Sequence, residues 1–201
     1  MITEVLTEIQ LLFLEDSPPN IEGMKFLQQK IRGVYIIEPA AFIDQRGIYR
    51  RHFCQKEFKD HSIDFQVVQA NIVENKHRYT IRGFHFQKPP FSEGKMLSCI
   101  KGSAYDIVLD IDPKSPTYLK WEGFELNGKN RNSLYIPPGC THAILTLEEN
   151  TMIHYYTSEF YNPKAEGGIR YNDPYFKFYW PHQPKVISEK DKSHPDFTAI
   201  R

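Results

Sequence analysis

Thr80-Ile81-Arg82-Gly83-Phe84-His85-Phe86-Gln87 sets a histidine between apolar neighbours, with an arginine just before it and Lys95 a short way after. The run reads as a strand, with Phe84 and Phe86 pointing one way and Arg82 and His85 close enough to share a site. An imidazole beside two cations suits proton abstraction from carbon. The base takes the proton, while the cations hold an anionic substrate and the negative charge left behind. Alone, a histidine on an apolar strand is more often a satisfied structural group. The weight of the reading rests on what accompanies it along the chain.

A second histidine stands in Ile136-Pro137-Pro138-Gly139-Cys140-Thr141-His142. This P-x-G-x-x-H pattern is half of a cupin signature and sets a histidine on a strand facing a barrel lumen. The other half needs two histidines one residue apart with a glutamate soon after, and Gly83-Phe84-His85-Phe86-Gln87 offers only one. A three- or four-ligand metal centre lacks its ligands, so no metal is expected.

Asp44-Gln45-Arg46-Gly47, Val68-Gln69-Ala70-Asn71, Asp110-Ile111-Asp112-Pro113-Lys114-Ser115-Pro116-Thr117-Tyr118, Tyr171-Asn172-Asp173-Pro174 and Ile187-Ser188-Glu189-Lys190-Asp191 complete a series. Each is weak singly, but their order and spacing from about Ile31 to Lys192 resemble the dTDP-4-dehydrorhamnose 3,5-epimerase family. The resemblance implies an all-β, cupin-type antiparallel jelly-roll barrel, a homodimer and a reaction without a cofactor. It also implies an anionic nucleotide-diphospho-4-keto-6-deoxy sugar as substrate, inverted at C3, C5 or both in deoxysugar biosynthesis. By position, His85 matches the family's general base, Asp191 the carboxylate paired with it, Tyr155 the proton donor and Lys95 the cation near the developing enolate. Arg46, Gln69, Asn71, Arg82, His142, Glu166 and Lys190 fall on substrate-contacting positions, and Tyr161 on the aromatic that stacks on the nucleotide base.

The chemistry accounts for these residue types. Protons on carbons flanking a ketone are removable because the product is an enolate, and a neutral histidine is poised to accept one. A carboxylate that fixes its tautomer and stabilises the imidazolium raises its efficiency. Lys95 and His142 suit the oxyanion, and the forked guanidinium groups of Arg82 and Arg46 suit pyrophosphate. Inversion needs a proton returned from the opposite face, which the Tyr155 phenol can give. With twelve tyrosines in the chain, only the resemblance singles out Tyr155. The pattern departs from the family at Arg51, where a glutamate is usual, in Ile72-Val73-Glu74-Asn75, after His142, and at Tyr171. Arg51, beside Arg50, points to weaker discrimination for thymidine, unless it turns to solvent. Three other readings compete: a single-position epimerase, a metal-dependent cupin oxygenase or isomerase, and a non-catalytic sugar-nucleotide binder.

The elements that must position these groups are short strands. Candidates are Val34–Ile37, Tyr49–Phe53, Phe65–Ile72, Thr80–Gln87, Lys95–Ile100, Ala104–Asp110, Lys120–Leu126, Ser133–Ile136, Ala143–Leu147 and Met152–Thr157. They are separated by Gly, Pro and Asn, with no helices between, which argues for an antiparallel sandwich or barrel. Beyond Glu159 the chain turns proline- and aromatic-rich and is expected to wrap the body. Residues 1–30 read as an N-terminal extension, with Ile2, Val5, Leu6, Ile9, Leu12 and Phe13 at helical spacing before a break at Asp16-Ser17-Pro18-Pro19-Asn20. Residues 31–201 form the main domain. The chain's 201 residues, 40% of them hydrophobic, suffice for one core. A formal net charge of +0 gives no general case for nucleic acid or a membrane surface. Three cysteines without a CxxC pair, and a start without a basic leader, point to the cytoplasm.

Overall fold

The computed structural model describes residues 23–198; the helix expected over residues 1–14 lies outside the described residues. In chain order the elements are β1 (Lys25–Gln28), β2 (Tyr35–Glu38), β3 (Ala41–Asp44), β4 (Gly47–Arg50), α1 (Gln55–Asp60), β5 (Gln69–Asn75), β6 (Ile81–Gln87) and β7 (Lys95–Lys101). They continue with β8 (Ser103–Asp110), β9 (Trp121–Asn127), β10 (Ser133–Ile136), β11 (Cys140–Thr146), β12 (Thr151–Thr157), β13 (Glu166–Gly168) and α2 (Glu189–Lys192). Two sheets result, one ordered β1-β2-β10-β7-β12-β5 and the other β13-β6-β11-β8-β9, with β3–β4 as a separate hairpin. The strand pairs are antiparallel. The expected all-β architecture is what forms.

Strand alternation sorts side chains into three apolar layers. Leu97, Cys99, Val108, Leu126, Leu134, Ile144 and Ile153 fill the space between the sheets. On the outer face of the large sheet, Met96 and Tyr135 pack with Phe58 of α1 and with Phe65. On the outer face of the small sheet, Phe84, Ile107 and Leu109 are covered by Phe176, Phe178, Trp180 and Phe197 from the C-terminal segment. Strands buried on both faces lose their polar alternation and read as apolar runs, as Ile107-Val108-Leu109 does on β8.

The wrapping expected of the C-terminal segment is observed. Thr80 bridges Val186 in parallel, and Val186 O accepts from Ile81 N at 3.0 Å. The sheet begins earlier than residue 31, however. β1 pairs with β2, and Met24 is buried against the outer aromatic layer, so the tail end of the segment set aside as an extension is an edge strand. The start expected for β5 also shifts, because Phe65 and Val67 are drawn into the aromatic layer before pairing begins at Gln69.

Candidate active site

β6 carries the central histidine through a local irregularity. Strict alternation would send Arg82 and His85 to opposite faces. Against β11, His142 pairs with His85 while Ala143 pairs with Gly83, so Phe84 is an extra residue in the register. The bulge turns Phe84 outward, where it stacks on Phe178 at 4.6 Å, and leaves Arg82 and His85 both facing the lumen. Gly83 makes this possible. Its φ is +113°, and a Cβ there would collide with the His142 carbonyl and Ala143.

His85 lies on the small sheet and Tyr155 on β12 of the large sheet, and both line one cavity of about 660 Å³. His85 Nε2 donates to Asp191 Oδ1 at 2.8 Å. Asp191 is brought there by α2, whose cap Ser188 accepts from Asp191 N at 3.1 Å through its hydroxyl. Burial pushes the His85 imidazole below the ordinary histidine range, outweighing the upward pull of its bond to Asp191. Burial works to raise the Asp191 carboxyl, yet the hydrogen bonds from His85, Ser188 and Gly83 hold it below the usual carboxylate range. A neutral imidazole whose Nε2 proton is committed to a carboxylate leaves Nδ1 as its basic atom. Across the lumen, burial and the nearby Glu93 carboxylate push the Tyr155 phenol up, so it stays protonated at neutral pH.

Lys95, at the start of β7, contacts Glu93 at 3.0 Å, with both side chains 13% exposed, and its Nζ lies 3.5 Å from His85 O. His142 Nδ1 donates to Asp106 Oδ2 at 2.9 Å. Asp106 is fully buried on β8, and burial raises its carboxyl against the pull of His142. Arg82 is fixed by Nε donating to Asn75 Oδ1 at 2.7 Å. At the mouth, Tyr161 donates to Glu166 at 2.8 Å, Lys190 reaches Glu166 at 2.5 Å, and Gln69 Oε1 accepts from Tyr161 N at 3.3 Å. Asn71 completes this wall.

Arg46 is the exception among the expected site residues. It sits at the β3–β4 turn, with Nη2 donating to Asp44 Oδ2 at 2.5 Å, and is not part of the cavity lining. The hairpin that bears it is hydrogen-bonded to neither sheet. Arg51 is likewise outside the lining, its guanidinium donating to Glu57 at 2.6 Å. Asp106, Asn75 and Glu93 line or support the site and escape a motif reading. Asp106 alone leaves a signal, as a charge inside the apolar run Ala104-Tyr105-Asp106-Ile107-Val108, where burial demands a partner.

Comparison with known proteins agrees with this geometry. A family model described as dTDP-4-dehydrorhamnose 3,5-epimerase matches residues 28–199. The dTDP-4-dehydrorhamnose 3,5-epimerase of Sinorhizobium fredii is 35% identical over 182 residues, covering 90% of this chain and 93% of the relative. The crystal structure of the enzyme of that name from Elizabethkingia anophelis superposes with a TM-score of 0.84 at 31% identity, covering 88% of this chain and 97% of that one. ChmJ, a 3'-monoepimerase from Streptomyces bikiniensis solved with dTDP-quinovose, superposes with a TM-score of 0.78 at 28% identity, covering 84% of this chain and 85% of that one.

Proposed function

Because the chain belongs to the dTDP-4-dehydrorhamnose 3,5-epimerase family and is an epimerase of nucleotide-diphospho-4-keto-6-deoxy sugars, we propose that it works through His85 and Tyr155 on opposite walls of the barrel. His85 Nδ1 takes the proton next to the C4 ketone, and the resulting imidazolium is stabilised by Asp191 through Nε2. The enolate oxygen is met by Lys95 and by His142, which Asp106 orients. Tyr155 then returns a proton from the other face, inverting the carbon. Arg82, Gln69, Asn71, Tyr161, Glu166 and Lys190 hold the nucleotide diphosphate at the mouth. The observation that carries this reading is the His85–Asp191 pair at 2.8 Å, sharing one cavity with the half-buried Tyr155 phenol of the other sheet.

Thymidine is the favoured nucleotide, since the relatives carry it in their names and Arg51 is held by Glu57. The active form is a homodimer. Two observations support this: Arg46 lies outside the cavity lining of its own chain, and the hairpin bearing it exposes Ile43, Ile48 and Tyr49 at 68%, 45% and 61%. Among the described residues no helix is long and apolar enough to cross a membrane; we assign the enzyme to the cytoplasm, where its three thiols stay free. A C3-only outcome is the second reading, favoured by the likeness to ChmJ. Incubation in D₂O with a panel of nucleotide-linked 4-keto-6-deoxy sugars, followed by NMR at C3 and C5, tests both. Deuterium at both carbons supports double epimerisation, and deuterium at C3 alone supports the second reading. Deuterium at neither, with every sugar, overturns the function.

A further inference from the structure

Behind the catalytic pair lies a third potential donor that the reaction does not use. His194 follows α2, and its ring centroid lies 6.4 Å from that of His85 in an edge-on arrangement. The ligating atoms of His85, Asp191 and His194 all lie within 4.8 Å of one another. Two features mark this as a built arrangement. Gly168 pairs with His85 in the β13–β6 register, and a Cβ at Gly168 would overlap the His194 ring, so the missing side chain admits the imidazole. His194 Nε2 is also buried and, among the described residues, has no hydrogen-bond partner. A buried polar atom without a partner calls for an occupant.

We propose that His85, Asp191 and His194 form a binding site for a divalent transition ion, Zn²⁺ being the best fit, and that the ion inhibits the enzyme. Two imidazoles and one carboxylate are a donor set suited to zinc, with a fourth position left for water. Tetrahedral donors about 2.0–2.1 Å from zinc stand about 3.3 Å apart, so closing the site takes a slight widening of the His85–Asp191 contact from 2.8 Å and an inward turn of His194 from its present place within 4.8 Å. Entry is through the cavity that His85 and Asp191 line.

The inhibitory consequence rests on the reading of His85 as the base; the binding itself does not. In the metal-free enzyme His85 keeps its proton on Nε2 and its lone pair on Nδ1. Zinc takes the lone pair at Nε2, so the neutral ring's single proton moves from Nε2 to Nδ1 by exchange through solvent, with no net release from the imidazole. No lone pair is left to accept a proton from the sugar. The nucleotide contacts at the mouth are untouched, so the zinc-bound enzyme still binds nucleotide.

The test titrates metal-free enzyme with Zn²⁺ against a chromophoric chelator, beside His194→Gln and His85→Gln. The expected result is one equivalent bound by wild type at micromolar concentration or tighter, with each variant weakened at least about tenfold, the lower end of the effect of losing even a supporting group around a metal. Co²⁺ should give a tetrahedral visible spectrum without a thiolate charge-transfer band; burial raises the Cys99 thiol to about 11. A measurement on wild type alone guards against a misfolded variant: nitrogen NMR of His85 should show its proton moving from Nε2 to Nδ1 on adding zinc. In the D₂O assay zinc should stop exchange, EDTA should restore it, and His194→Gln should keep metal-free turnover while resisting zinc. No equivalent bound by wild type, undiminished binding by His194→Gln, or an unmoved His85 proton would each overturn the site. Metal-free enzyme that fails to exchange counts against the proposed function instead.

Discussion

At the scale of single residues, the division of labour between His85 and Tyr155 is the part most open to a decisive test. His85→Ala should lower turnover and deuterium wash-in together by about 10²–10⁴-fold, the usual worth of a positioned base, while nucleotide affinity holds. Tyr155→Phe should separate the two readouts: wash-in persists, and net inversion falls by about 10²-fold. Equal loss of both would give Tyr155 a packing role. The pH profile follows from the shift at His85. Its imidazole is depressed from 6.5 in the folded protein, so the acid limb of kcat/KM lies below 6.5. Asp191→Asn removes the group that pulls this value upward. The limb should therefore move to still lower pH while kcat falls, because the imidazolium formed during turnover loses its partner. A limb that moves upward in this variant would contradict the pairing.

At the scale of elements, what can be read in the chain depends on how far apart the determinants lie. The interior strands were legible, since Ser133–Ile136 and the runs near β6, β7, β8 and β12 carry β-branched and aromatic residues between turn formers. β1, β3, β13 and both helices were not. α1 forms around one apolar residue, Phe58, whose aromatic partners Phe26, Phe53, Phe65 and Tyr135 come from other parts of the chain. The β6 bulge was equally hidden, because it depends on the register with β11. Most residues that line the cavity were visible through their resemblance to a family; of the groups around them, Asp106 left a trace as a charge in an apolar run, while Asn75 and Glu93 left none, since their contacts with Arg82 and Lys95 have no periodic signature. Phe58→Ala should cost about 3–5 kcal/mol, seen as a lower Tm, with KM little changed because the ring lies outside the barrel. His52 gives the same region a pH dependence. Burial, His154 and Arg50 depress it from 6.5 to about 4, while its Nε2 accepts from Ser98 Oγ at 2.7 Å. Folded protein thus holds fewer protons on His52 than unfolded chain between those values. The stability from this group is complete above pH 6.5 and is lost as pH falls toward about 4. Thermal unfolding from pH 7 to 4.5 should show a shallower decline for His52→Gln than for wild type.

At the scale of the whole molecule, a single chain brings His85, Tyr155, Lys95 and His142 to one cavity, but Arg46 of the β3–β4 hairpin is not part of its lining. A hairpin with three exposed apolar side chains and a guanidinium near its tip fits an arm laid against a second copy, in the two-fold arrangement commonest among homo-oligomers. If Arg46 serves the partner's site, each active site in the dimer draws on two chains, and function becomes separable by subunit mixing. Arg46→Ala alone should lower kcat/KM by about 10–100-fold through loss of a charge-assisted phosphate contact, and His85→Ala alone should be nearly inactive. A hybrid of the two, co-expressed with different tags and purified by both, contains one site with neither residue. Its other site has both, the base from its own chain and the arginine from the partner. That hybrid should recover about half the activity of the wild-type dimer, as expected when one of two equivalent sites is whole. If Arg46 acts within its own chain, one site lacks His85 and the other lacks Arg46. The hybrid would then only match the mean of the two parents, and the shared site would be ruled out.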